Sequence, residues 1–140
     1  MHSLSAVAWQ QINPRFVRQD HPGLRAAWYR DTSDRGGGEL MLWLDSLDRV
    51  VAFQLSREEW PSLRHYVAEW QSGSALRIGK VEEDAPTSRP RIRSTPIMRF
   101  GPRSNPTDAT RLLTYFRENA HAVTPHHRTL ISSLLSEAAA

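Results

Sequence analysis

The sequence predicts an α+β domain: an antiparallel sheet of three to four strands packed against helices, with a helical hairpin at the C-terminus. Three observations carry this expectation. Residues 39–56, ELMLWLDSLDRVVAFQLS, place alternating apolar side chains on both sides of a polar turn, and a period of two marks a strand pair. Beyond residue 104, two stretches repeat apolar residues at spacings of three and four behind Asn-Pro and Thr-Pro starts, the way helices open and continue. The 140 residues, 39% of them hydrophobic, are enough for one core that removes roughly two thirds of the unfolded surface from water.

Taken in order, residues 1–22 show no sustained period. Trp9 and Phe16 are isolated and Pro14 and Pro22 interrupt, so this part reads as an irregular N-terminal arm, with residues 23–140 forming the single domain. LRAAWYRD, 24–31, reads as a strand. TSDRGGG, 32–38, reads as a flexible polar loop: Gly36, Gly37 and Gly38 lack the GxGxxG spacing and the following helix that a phosphate cradle needs. In the 39–56 hairpin, a turn at residues 46–49 sets Leu44 opposite Val51, Leu42 opposite Phe53 and Leu40 opposite Leu55 on one face. The other face carries Trp43 opposite Ala52 and Met41 opposite Gln54, so it is mixed rather than water-loving.

Next, Trp60, Leu63, Tyr66, Val67 and Trp70 recur at helical spacing, Pro61 suits a first turn and Gly73 suits a stop, which predicts a helix. A strand follows from Ala75 to Glu82, where Gly79 allows a bulge. Residues 85–103 hold four prolines and five arginines, with no acidic residue between Asp84 and Asp108. They read as an extended basic connection whose Pro96, Ile97, Met98 and Phe100 dock onto the domain. The first terminal helix is capped by Asn105 ahead of Pro106 and faces inward with Ala109, Leu112, Leu113, Phe116 and Ala120. The second is capped by Thr124 ahead of Pro125 and uses Leu130, Ile131, Leu134 and Leu135. A short hinge at 121–124 makes the two antiparallel neighbours.

WYRD (28–31), the 39–56 hairpin with its FQL end, and STPIMRF (94–100) ahead of a helical C-terminus resemble the pattern of a set of small bacterial proteins. The resemblance spans about 110 residues, from Trp28 to the end. Its motifs are core and turn positions, so it implies the hairpin and the domain and no activity.

The absence of cysteine excludes disulfides, thiolate metal sites and a cysteine nucleophile. No apolar run is long enough to span a bilayer, and MHSLSAVAWQQI has neither the basic flank nor the apolar length of a secretory signal. The expectation is a soluble cytoplasmic protein without membrane contact. Net charge is +3 at a pI of 9.9, and Lys80 is the sole lysine among 18 basic residues, so whole-chain charge alone does not argue for nucleic acid. Among the histidines, His121, His126 and His127 cluster in sequence, but none pairs with another at the i, i+4 spacing of a helical metal site, and adjacent side chains point apart. They read as surface or capping groups, and no metal or cofactor is expected. Glu58-Glu59 and Glu82-Glu83-Asp84 are runs of neighbours, not acids facing across a cleft, and no serine lies in GxSxG or SxxK.

These readings point to a non-catalytic adaptor or regulatory module. Its expected contact surface for a protein partner or homodimer is the second hairpin face, with Trp28 (or Tyr29), Met41, Trp43, Ala52 and Gln54. Five tryptophans in 140 residues exceed what one small core readily absorbs, and Trp and Met are adaptable contact residues. The competing arrangement is intramolecular: the Trp60–Trp70 segment, or Trp9 and Phe16 of the arm, covers that face. The alternative function is nucleic-acid binding through the basic patch Arg89, Arg91, Arg93, Arg99 and Arg103. It is weaker because only Phe100 stands among these arginines, where single-strand binding calls for interleaved aromatic platforms.

Overall fold

The computed structural model describes residues 9–17, 19, 21–31, 37–58, 65–81, 98–100 and 106–140. Strands β1 (Trp9–Gln11), β2 (Arg25–Asp31), β3 (Gly38–Leu44), β4 (Val50–Glu58), β5 (His65–Gln71), β6 (Arg77–Val81) and β7 (Met98–Phe100) form one sheet in sequence order. Every neighbouring pair is antiparallel. Helices α1 (Pro106–Asn119) and α2 (Pro125–Ala139) follow. The class is α+β, as expected, but among the described residues the sheet has seven strands in place of three to four.

The added strands come from segments whose local signal was read otherwise. β1 lies within the supposed irregular arm and pairs Trp9 with Asp31 and Gln11 with Tyr29. The chain then stays along β2: the Ile12 amide donates to the Trp28 carbonyl, and the Gln19 side chain accepts from the Ala26 amide and donates to its carbonyl, as a strand would. β7 falls in the basic connection and pairs with β6. β5 is the clearest correction. Residues 65–71 are a strand, not a helix, with Tyr66, Val67 and Ala68 all buried. A short run that is bulky at almost every position satisfies both periods, and pairing on both edges, with β4 and β6, decides between them. Gly73, taken for a helix stop, adopts φ +90 in the β5–β6 turn, where the Ser74 amide reaches the Gln71 carbonyl. Gly79 holds a regular register with no bulge.

In the β3–β4 hairpin, Glu39 faces Ser56, Leu40 faces Leu55, Met41 faces Gln54, Leu42 faces Phe53 and Trp43 faces Ala52, as the alternation requires. One pair differs. Leu44 meets Val50 and not Val51, because the register shifts by a bulge after Trp43.

Leu40, Leu42, Leu44, Phe53 and Leu55 join Ala27, Tyr29, Tyr66, Ala68 and Ile78 on one sheet face. The helices cover that face. α1 contributes Ala109, Leu112, Leu113 and Phe116, and α2 contributes Ile131 and Leu135. Each such aliphatic or aromatic side chain contributes roughly 1.5–3 kcal/mol by leaving water. Leu130 and Leu134 are only partly buried, so the inward stripe of α2 runs His127, Ile131, Leu135 at steps of four. Pro125 opens α2, and Thr124 precedes it without a side-chain capping bond; Asn105 lies outside the described residues.

Tyr115, which the sequence pattern did not place in the core, joins α1 to the sheet edge. The Trp9 indole N–H donates to its hydroxyl oxygen (3.2 Å), and the hydroxyl donates to Asp31 Oδ2 (2.9 Å). The two rings meet edge to face at 5.7 Å, and the Arg57 guanidinium lies 4.4 Å from the Tyr115 ring centre. Burial pushes the Tyr115 hydroxyl far above its ordinary pKa, so it remains a neutral donor. The tyrosine tip lies against the backbone of Gly38, where a Cβ would collide with the hydroxyl and the ring. Gly38 is therefore a strand residue required for close approach.

Gly38→Ala is expected to lower stability by about 1–3 kcal/mol, the cost of forcing a methyl group into a packed contact, measured by urea unfolding. Tyr115→Phe removes the acceptor of the buried Trp9 N–H and is expected to cost about 1–3 kcal/mol in the same assay.

Candidate functional site

The face of the sheet turned away from α1 and α2 gathers the five residues expected there. Trp28 of β2, Met41 of β3 and Gln54 of β4 are consecutive cross-strand neighbours, and Trp43 and Ala52 form the adjoining pair. All five are half-buried. Ala26 and Val67 on the same face are buried, outside the helix-side core. Tyr29 lies on the helix side and is buried. The apolar centre has polar company: the Trp28 indole donates to Glu39 Oε1 (2.6 Å), and the Arg30 guanidinium lies 5.7 Å from the Trp28 ring centre.

Of the side chains considered as an internal cover, two lie on the helix side and one is largely exposed. Trp9 is buried in the helix-side core, Trp70 packs on that side against Phe53 at 6.0 Å, and Phe16 is 73% exposed. Trp60 lies outside the described residues, as do Arg89, Arg91, Arg93 and Arg103. Arg99 is in β7, paired with Lys80. Among the described residues, no helix is long and apolar enough to cross a membrane.

A second cluster forms where the β3–β4 turn meets α2. Asp45 organises the turn: its Oδ1 accepts from the Leu47 and Arg49 amides and its Oδ2 from Arg49 Nε, each at 2.9 Å. These bonds, the Arg49 amide foremost, hold the Asp45 carboxyl below its ordinary pKa. The Asp48 amide closes onto the Asp45 carbonyl (2.9 Å), and Asp48 itself sits at φ +65. That left-handed position ends a three-residue hairpin loop and is commonly glycine. Aspartate tolerates it and adds a carboxylate. Arg25 donates to Asp48 Oδ1 (2.6 Å).

His126 and His127 reach the same residue from the first turn of α2. His127 Nε2 lies 2.8 Å from the Asp48 carbonyl and 3.5 Å from Oδ2, while His126 Nε2 lies 3.4 Å and 3.6 Å from the same two atoms. The rings do not diverge, as adjacency in sequence suggested; their centres are 4.3 Å apart. His127 is buried and His126 exposed. The signal for His127 was present in the four-residue step back from Ile131. Nothing in the sequence ties either histidine to Asp48, 78 positions away from His126.

No family model, no curated protein and no solved structure matches the chain.

The lowered pKa of Asp45 means that the unfolded chain binds this proton more readily. Its contribution to stability is complete above the ordinary value of 3.8 and is lost as pH falls through the lower folded value. Asp45→Asn is expected to be less stable than the parent at neutral pH, with the gap narrowing below about pH 4. Urea midpoints across an acid pH series check this.

Proposed function

We propose that the chain is a small non-catalytic adaptor or regulatory module that binds a protein partner, or a second copy of itself, through the sheet face opposite α1 and α2. The observation that carries this reading is the contiguous half-buried group Trp28, Met41, Trp43, Ala52 and Gln54. An apolar centre with Arg30, Glu39, Gln54 and Glu69 around it has the layout of a contact patch, where aromatic and Met residues supply area and the rim stays polar. Support also comes from the placement of Trp9, which packs in the helix-side core, and Trp70, which packs against it.

Trp43→Ser tests the reading. A tryptophan at the centre of an interface contributes about 2 kcal/mol or more, so complex or dimer affinity is expected to fall about thirtyfold while the circular dichroism spectrum and melting midpoint are kept. Light scattering reads self-association, and co-purification from lysate with parent and variant reads a partner. Loss of folding in the variant would reassign Trp43 to the core. Parent protein that stays monomeric and retains nothing the variant lacks would end the proposal.

A further inference from the structure

We propose that His126 Nε2, His127 Nε2 and the Asp48 carboxylate form a binding site for a divalent transition-metal ion of the zinc type, held between the β3–β4 turn and the first turn of α2.

The donor set comes first. Two imidazole nitrogens and one carboxylate oxygen, each offering one ligand atom, all lie within 4.8 Å of one another. Imidazole with carboxylate suits zinc and its neighbours in the first transition row, whereas magnesium and calcium require oxygen-rich cages. Metal–ligand bonds near 2.0–2.1 Å in a tetrahedron put donor atoms about 3.3 Å apart. The two separations from Asp48 Oδ2, 3.5 and 3.6 Å, come within a few tenths of that edge. His126, with 63% of its side chain exposed, is free to rotate and close the remainder.

The surroundings prepare the carboxylate. Arg25 binds Oδ1 at 2.6 Å and leaves Oδ2 turned to the imidazoles, the orienting role that outer partners play for metal-binding groups. His127 is anchored by burial, with 4% of its side chain exposed. In the metal-free chain its Nε2 must carry the proton, because the Asp48 carbonyl can only accept. Nδ1 is then a buried lone pair without a partner among the described residues. Coordination through Nε2 moves the proton to Nδ1 and takes the His127 donor from the Asp48 carbonyl, so the metal bond replaces one hydrogen bond and has to outweigh its loss. Three protein ligands leave a fourth position to water or to a side chain of another molecule, the pattern of an open site and not a closed structural one.

The site is on the helix side of the turn, and its test is independent of the Trp43 surface. Zinc chloride is titrated into the full chain and followed by calorimetry and thermal melting. The expected result is one ion per chain and a melting midpoint raised by roughly 5–10 °C when zinc stands about a hundredfold above its dissociation constant. His126→Ala removes an exposed ligand. Asp48→Asn keeps a residue that accepts positive φ while discarding the charge. Each is expected to fold and to weaken zinc binding at least tenfold. No zinc-dependent rise in the parent, or an equal rise in both variants through histidines elsewhere, overturns the proposal.

Discussion

One face of a seven-stranded antiparallel meander has to be taken out of water, and two helices do it. Leu40, Leu42, Phe53 and Leu55 supply the centre of that face, and Leu112, Phe116, Ile131 and Leu135 close over it. Apolar burial is large but non-directional, so it does not by itself say where along β3 the helices sit. Two polar contacts do. At the start of β3, Tyr115 of α1 rests on Gly38 and bonds Trp9 and Asp31. Beyond its far end, His127 of α2 bonds the Asp48 carbonyl. The helical layer is thus registered at both ends of one strand.

That arrangement determines what the other face can be. Once the pleat commits Leu40, Leu42 and Leu44 to the helices, Met41 and Trp43 point the opposite way, and their cross-strand partners Trp28, Gln54 and Ala52 go with them. The adaptor reading and the metal-site reading come from the same geometric commitment at different places. The first uses the side chains that the pleat turns away from the core, and the second uses the turn that the pleat delivers to the N-terminus of α2.

The hairpin was legible because its signal is local: period-two alternation, a polar turn and cross-strand pairs all lie within residues 39–56. The inward faces of the terminal helices were legible for the same reason, through Ala109, Leu112, Leu113 and Phe116. The bulge that moves Leu44 onto Val50 was not, because one unpaired residue, Val51, breaks no alternation that the sequence displays. β1 and β7 are three residues each, too short to show a period, and they exist as strands through the neighbours they pair with.

What the sequence by itself determined is the side that residues 40–44 and 52–55 of the central hairpin face, the α+β class and the terminal helix pair, since periodicity and capping act between residues close along the chain. What only the tertiary structure decided is the width of the sheet, the strand state of 65–71, and the meeting of Trp9 with Tyr115, 106 positions apart, and of Asp48 with His126 and His127. Those outcomes depend on contacts between distant segments. Their free energy arises only when the chain has folded, and no local pattern encodes it.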